Sequence, residues 1–260
     1  MMKYFHFARM AFADYSNNRL RMTTRFVVYM MLAWVMIGMW RVIYATGHGP
    51  VGISLHDMGW YNGIVQMMFF LSPRLFVVID EDVRSGNIAY FLNRPIPYLW
   101  MRLSEGIGSL CVHLIVFFTL GIAFLYLYLG GWPSIGVVPV FAALILLIGG
   151  SVIHLLFQIC CGLGTFWTDD AAFIYNGYMK IMLLLGGVYL PISLYPSFMP
   201  TKLIELLPFS SMVGAPSALL IGVGNFWEIL GLQIVWGATI MMLLHRFYVV
   251  CLRKVEVHGG

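Results

Sequence analysis

Residues 80–100 read DEDVRSGNIAYFLNRPIPYLW, a polar stretch marked by Gly and Pro, with long and almost uncharged runs on both sides. The runs decide the fold class, and the stretch between them carries the functional question. Of the 260 residues, 61% are hydrophobic and 10% charged, whereas soluble domains are charged at about a quarter of their positions. A hydrocarbon core about 30 Å thick needs roughly 20 helical residues to cross it. Stretches 26–46, 58–78, 106–129, 136–165, 172–195 and 226–250 meet that length. They are continuously apolar rather than alternating, which argues against a barrel. Helices also satisfy their own backbone groups in lipid. The expectation is an all-α membrane protein of six transmembrane helices, with an N-terminal segment 1–25, one membrane domain 26–250 and a tail 251–260. The 136–165 run exceeds one crossing, so a tilt or a break near Gly149-Gly150-Ser151 is expected.

Phe5, Ala8, Phe12 and Tyr15 recur at helical spacing, with Arg9, Asn17 and Arg19 away from them. That pattern predicts an amphipathic helix in the membrane interface. Lys and Arg set the orientation. With the N-terminus inside, only Arg41 and Lys202 of the 15 basic residues fall outside, Lys180 being counted with the inner group. Both termini and residues 80–100 are then cytoplasmic. The outer connections 47–57 and 130–135 are short. The third, 196–225, holds Pro196, Pro200, Pro208 and Pro216, yet its LIELLPF and APSALLIG pieces are apolar and too short to cross. They are predicted as re-entrant helices covered by protein. A plain external loop would leave Leu203, Leu206, Leu207, Leu219 and Leu220 in water.

The chain shows no phosphate-cradling GxxxxGK[ST] loop, no HExxH or CxxC metal spacing and no GxSxG elbow. It reads as neither an enzyme nor a metalloprotein, and its positive charge reflects membrane orientation rather than nucleic-acid binding. Arg41 is close enough to a span end to snorkel. His113 and His154 are expected to be neutral and hydrogen-bonded in the packing. No Asp or Glu falls in mid-span, which weighs against the alternative function of an ion-gradient-driven carrier or channel without an ATPase. Gly59 and Gly63 permit close helix approach. Polarizable side chains suit a surface that slides past varied amphipathic molecules. Gln66, Met67 and Phe70 on the second span, with Tyr178, Met182 and Tyr189 on the fifth, are therefore the candidate substrate path.

Within the opening stretch, Gly86 and Pro95-Ile-Pro97 bracket a short segment, 87–93. Its Ile88, Ala89, Phe91 and Leu92 offer an apolar face to a groove on a cytosolic partner, with Glu81, Asp82, Arg84 and Arg94 as rim charges. DVRSGNIAYFLNRPI (82–96), LPFSSMVGAPSALLIG (207–222) and LRKVEVHGG (252–260), set on six spans and an N-terminal interfacial helix, together resemble an ABC-2 type permease. The likeness is to the branch of this length with an R-x-G-x-(I)-x-x-x-L-x-R-P signature after the second span. Arg84, Gly86, Leu92, Arg94 and Pro95 occupy the signature positions, and Asn93 departs from the residue often found there.

The resemblance implies a cytoplasmic coupling helix after span two and external re-entrant helices before span six. It also implies a separate ABC ATPase partner, gripping Glu81, Asp82, Arg84, Gly86, Asn87, Tyr90, Leu92, Arg94 and Pro95. A second permease, identical or a sister, completes the assembly. ATP and Mg²⁺ would be held by the ATPase, with no cofactor in this chain. The protein would sit in the cell (inner) membrane and export a hydrophobic or amphipathic small molecule of the drug, lipid or glycan class.

Overall fold

The computed structural model describes residues 2–92, 96–168 and 170–258, apart from the side chains of Met2, Leu92 and 254–258. Every regular element among them is helical. The first half comprises α1 (Met2–Asn17), α2 (Arg19–Ala45), α3 (Leu55–Leu71), α4 (Leu75–Arg84), α5 (Asn87–Leu92), α6 (Tyr98–Val116) and α7 (Ile122–Leu129). A π-helical turn, Phe117–Gly121, joins α6 to α7. The second half comprises α8 (Val138–Leu163), α9 (Ala171–Leu185), α10 (Thr201–Glu205), α11 (Pro208–Met212), α12 (Gly214–Ala218) and α13 (Phe226–His258).

Five stretches are long and apolar enough to cross a membrane: Arg19–Ala45, Leu55–Arg84, Tyr98–Leu129, Val138–Phe166 and Phe226–Arg253. They match five of the six expected spans. The sixth, 172–195, is realised only as α9, whose 15 residues rise about 22 Å. Gly186-Gly187 ends it, with Gly187 in the left-handed region at φ +73°. The Tyr61 hydroxyl donates to the Gly187 carbonyl, and Gly214 comes so close that a side chain there would meet the Gly186 oxygen at 2.3 Å. The helix stops because another piece of backbone occupies its path.

The N-terminal stripe is divided differently from the expectation. Asn18 accepts from the Arg21 N–H at 3.1 Å and so starts α2, as an N-cap does. Ahead of it, α1 lies along α6 through the half-buried Phe7, Ala8, Ala11 and Tyr15. A Cβ on Gly108 would come within 2.0 Å of the Ala8 carbonyl oxygen, so only glycine allows this approach. Phe5 and Phe12 are exposed. Phe5, Ala8, Phe12 and Tyr15 thus do not share one surface, because α6 takes up Ala8 and Tyr15.

Gly59 and Gly63 do admit a close neighbour. The Leu129 and Leu125 side chains of α7 sit 2.6 and 2.3 Å from where their Cβ atoms would be. On α8 the break that was one of the two expectations is absent: the helix runs unbroken through Gly149, Gly150 and Ser151. Space, not bending, is their use. A Cβ on Gly150 would meet the Met212 carbonyl at 2.3 Å, and one on Gly149 the Gln233 side chain at the same distance. The break falls instead at Pro73, between α3 and α4, where the ring removes a donor and cannot continue a helix.

The 196–225 connection is partly interior. Pro208, Ser210, Ser211, Met212, Val213, Gly214, Pro216, Ser217 and Leu220 are buried. Leu203 and Leu206 remain exposed, while Leu207 and Leu219 are half-buried. At the same end of the bundle, Asp57 accepts from the Ser134 backbone N–H at 2.7 Å and from the Ser54 hydroxyl, also at 2.7 Å. Trp60 stacks on Trp132 with centroids 5.7 Å apart. The opposite end gathers residues 85–92, the turn after α8 and the end of α13. There Thr165 donates to Asp80 at 2.7 Å, and the Tyr98 and Tyr248 rings stack 6.5 Å apart.

Candidate functional site

The opening stretch folds as a turn and a short helix on a fixed base. At the end of α4, Ser85 donates both its N–H and its hydroxyl to the Glu81 carbonyl, at 2.9 and 2.5 Å. Gly86 then takes φ +74°, a conformation glycine alone adopts without strain, and α5 begins. Two carboxylates anchor the base. Asp80 accepts from Thr165 and from the Ala171 N–H at 3.2 Å, and lies 3.6 Å from Arg84. Asp82 accepts from the Tyr98 hydroxyl at 2.5 Å and from Arg102 Nε at 2.9 Å, with a second nitrogen of Arg102 on the same oxygen. Arg102 also reaches Glu105 at 2.5 Å. Its guanidinium lies 5.1 Å from the Phe91 ring centroid and 5.4 Å from that of Tyr98.

Asp82 is therefore not a rim charge, as the sequence suggested, but part of the buried base. The apolar face of α5 is also assigned differently. Ile88 is buried and Phe91 half-buried, both turned toward this chain. Glu81, Arg84, Gly86, Asn87, Ala89 and Tyr90 form the outward surface, with Tyr90 62% exposed. An aromatic ring that exposed on a rigid mount is what an interface anchor requires. The Leu92 side chain, and Arg94 and Pro95 altogether, lie outside the described residues.

The six path candidates do not line one channel within the chain. Gln66 and Met67 are buried. Tyr178 and Met182 are core residues: the Tyr178 hydroxyl lies 2.6 Å from His154 Nδ1 and 3.3 Å from the Met182 sulfur. Tyr189 is half exposed and lines a pocket with Lys180, Tyr195 and Met199. Lys180 therefore does not lie at the end of the bundle that holds Arg84; it lies part-way along α9, toward the chain that follows that helix. Beyond the end of α9, Tyr195 donates to the Leu184 carbonyl at 2.6 Å. Phe70 alone of the six lines the large cleft between α2 and α9, a cavity of about 990 Å³ that also holds Phe76, Tyr175 and Met179. His113, with Nδ1 2.7 Å from the Ser109 carbonyl, and His154 are buried and hydrogen-bonded, as expected.

Three polar residues that the sequence reading does not single out hold the broken backbone together. Arg25 donates to the Phe70 and Ser72 carbonyls, at 3.0 and 2.7 Å, which Pro73 leaves without helical partners. Gln158 of α8 accepts from the Leu75 N–H at 2.8 Å across the same break. Gln233 of α13 donates to the Leu146 carbonyl at 2.8 Å and the Ser211 carbonyl at 2.7 Å, joining α8 to the buried connection. A buried group left without such a partner costs about 1–3 kcal/mol. The signal is there in the sequence: a Gln or Arg in an apolar run, in a chain that also carries interior prolines, marks backbone needing a donor or acceptor. Among the described residues, no three His, Cys, Asp or Glu side chains come together to hold a metal ion.

No curated protein resembles the chain closely enough to count as a match. A family model described as "ABC-2 family transporter protein" matches residues 28–259. That match takes in most of the first long helix, the other four whole, and the α4–α5 turn. With its helical, multi-pass architecture, the chain belongs to the ABC-2 transporter family and is a membrane permease component.

Proposed function

We propose that this chain is the membrane half of an ATP-driven exporter, and that a separate ABC ATPase grips the surface formed by Glu81, Arg84, Gly86, Asn87, Ala89 and Tyr90. Leu92, Arg94 and Pro95 extend that surface on the sequence reading. The observation that carries the proposal is mechanical. A short helix with an exposed tyrosine stands on α4, and α4 is bonded through Asp80 to the start of α9 and through Asp82 to α6. A push on α5 is thus delivered to three membrane helices rather than absorbed by a loop. The ATPase would bind ATP and Mg²⁺, this chain neither.

In this reading α9 and the buried part of 196–225 together complete the sixth crossing, with α11 and α12 re-entrant from the outer side. The N-terminus, α5 and the C-terminus face the cytoplasm of the cell (inner) membrane, and α1 lies in its interface. A second permease, a copy or a sister, faces this one, and the exposed Leu203 and Leu206 lie against it or against lipid. Cargo passes at the seam between the two permeases, since the path residues Gln66, Met67, Tyr178 and Met182 are packed within one chain. The cargo is a hydrophobic or amphipathic small molecule. ATP-driven closure can shift the permease only through states that differ in affinity for ATPase or cargo.

The test is co-purification of the full chain in mild detergent from its native membrane. A stoichiometric ATP-binding protein that is retained by wild type and lost from Tyr90→Asp supports the proposal. A consistent absence of any ATP-binding protein sinks it.

A further inference from the structure

The large cleft between α2 and α9 has a chemistry that the export reading does not specify. Arg21, Arg25 and Arg74 all line it, and no carboxylate does. Among the described residues none of the three guanidiniums has a carboxylate within 4.0 Å, and Arg25 lies within range of the like charges on the other two. Asp14 and Glu105 line an adjoining cavity beyond Tyr15 and Pro73, and Glu105 is already bonded to Arg102. Ser72 is buried and lines the same cleft, and its hydroxyl has no partner among the described residues. Thr24 and Asn176 add two polar side chains, and most of the remaining wall is aromatic or apolar, including Phe70, Phe76, Tyr175 and Met179, with Phe76 stacked on Tyr175 at 3.9 Å.

Basic residues at a span end are ordinary membrane anchors, and for a single arginine that would be explanation enough. Here three converge from α2 and the Pro73 break on one concave site beside an unpartnered hydroxyl. Like charges so gathered repel one another, and an anion held between them relieves that repulsion. Guanidiniums match the planar, multi-oxygen geometry of phosphate and carboxylate, and the aromatic and Met wall accommodates a flexible apolar body. A volume of about 990 Å³ holds a headgroup together with part of its chain.

We infer that this cleft binds an anionic amphiphile, its phosphate or carboxylate headgroup held by Arg21, Arg25 and Arg74 and its apolar body laid along Phe70, Phe76 and Met179. The inference names a ligand class for the permease itself. It rests on the export reading only insofar as that ligand is cargo rather than a resident lipid.

The experiment uses the purified full chain in phosphatidylcholine nanodiscs, without any ATPase, so that it can succeed even if the exporter reading fails. Binding of dodecyl phosphate, phosphatidylglycerol, dodecylphosphocholine and inorganic phosphate is compared. The expected result is preference for the anionic amphiphiles over the choline-headed one by about tenfold or more, falling as salt rises. A site for resident lipid favours phosphatidylglycerol, and a site for single-chain cargo favours dodecyl phosphate. Arg21→Gln and Arg74→Gln, separately and combined, should erase the preference. Arg25 is left intact because it also holds the Phe70 and Ser72 carbonyls. Should the double variant fail to fold, the single variants and the salt series on wild type decide the same question. Equal retention of choline and anionic headgroups, or inorganic phosphate bound as tightly as dodecyl phosphate, would overturn the inference.

Discussion

Asp82 on α4 and Arg102 on α6 form a buried ion pair, with side chains 10% and 9% exposed, directly beneath a surface helix whose Tyr90 is 62% exposed. The pair puts a rigid joint where a loop between spans would otherwise flex. Phe91 and Tyr98 place their rings around the guanidinium, so the charge is enclosed on several sides. Such a pair is weak evidence for stability in itself, but removing one member leaves the other uncompensated.

Arg102→Leu should therefore cost about 3–5 kcal/mol, read as a large drop in thermal unfolding temperature in detergent. Asp82→Asn keeps an acceptor for Tyr98 and should cost less. Equal stability of Arg102→Leu and wild type would show that the joint is not structural.

Tyr90→Asp changes an exposed side chain, whereas Arg84→Glu also sets a second carboxylate beside Asp80. Both should leave membrane insertion intact, with Arg84→Glu the less stable of the two, while ATPase retention falls by about tenfold or more, the scale of one interface anchor. Normal cargo-stimulated ATP turnover in Tyr90→Asp would contradict the assignment of this surface.

Gly63→Val would drive a side chain into Leu125, already 2.3 Å from the position of a Cβ. Overpacking of this kind costs about 1–3 kcal/mol. Leu125→Ala in the same chain should recover part of the loss, since neighbouring sites couple. A double variant no more stable than Gly63→Val would mean that the two residues are not in register.

Gln233→Leu leaves the Leu146 and Ser211 carbonyls without their donor, at about 1–3 kcal/mol for a buried group. The expected readout is faster hydrogen exchange across 208–221, with α1 and α6 unaffected. Uniform exchange throughout the chain would place the loss elsewhere.

Orientation is checked by labelling in intact cells after the native cysteines are replaced. Ser85→Cys should react with a membrane-impermeant thiol reagent only after the membrane is opened, and Val51→Cys, fully exposed on the 46–54 connection, should react at once. The reverse pattern would put α5 outside and end the case for an ATPase on it.

Five of the long helices could be read from continuous apolar length, because lipid demands about 20 residues whatever they pack against. The turn at Gly86 and the short helix after it were equally readable, since glycine and proline act locally. Side-chain assignment on that helix and on α4 before it was not: Phe91 and Asp82 turn inward onto Arg102 and Tyr98, which are distant from Asp82 in sequence. The fate of 172–195 was hidden for the same reason. Its composition suits a full crossing, and it stops at Gly186-Gly187, where Gly214, Tyr61 and the 208–221 segment fill the space ahead.

Composition and local chemistry, then, established a helical membrane protein with a polar turn after its second apolar run. Three-dimensional packing chose which glycines bend the backbone and which admit a neighbour. It also matched Arg25, Gln158 and Gln233 to carbonyls and amides that prolines and interior turns had left open. Hydrophobic length is a property of one segment against its solvent, whereas a close approach or a shared hydrogen bond belongs to two segments at once.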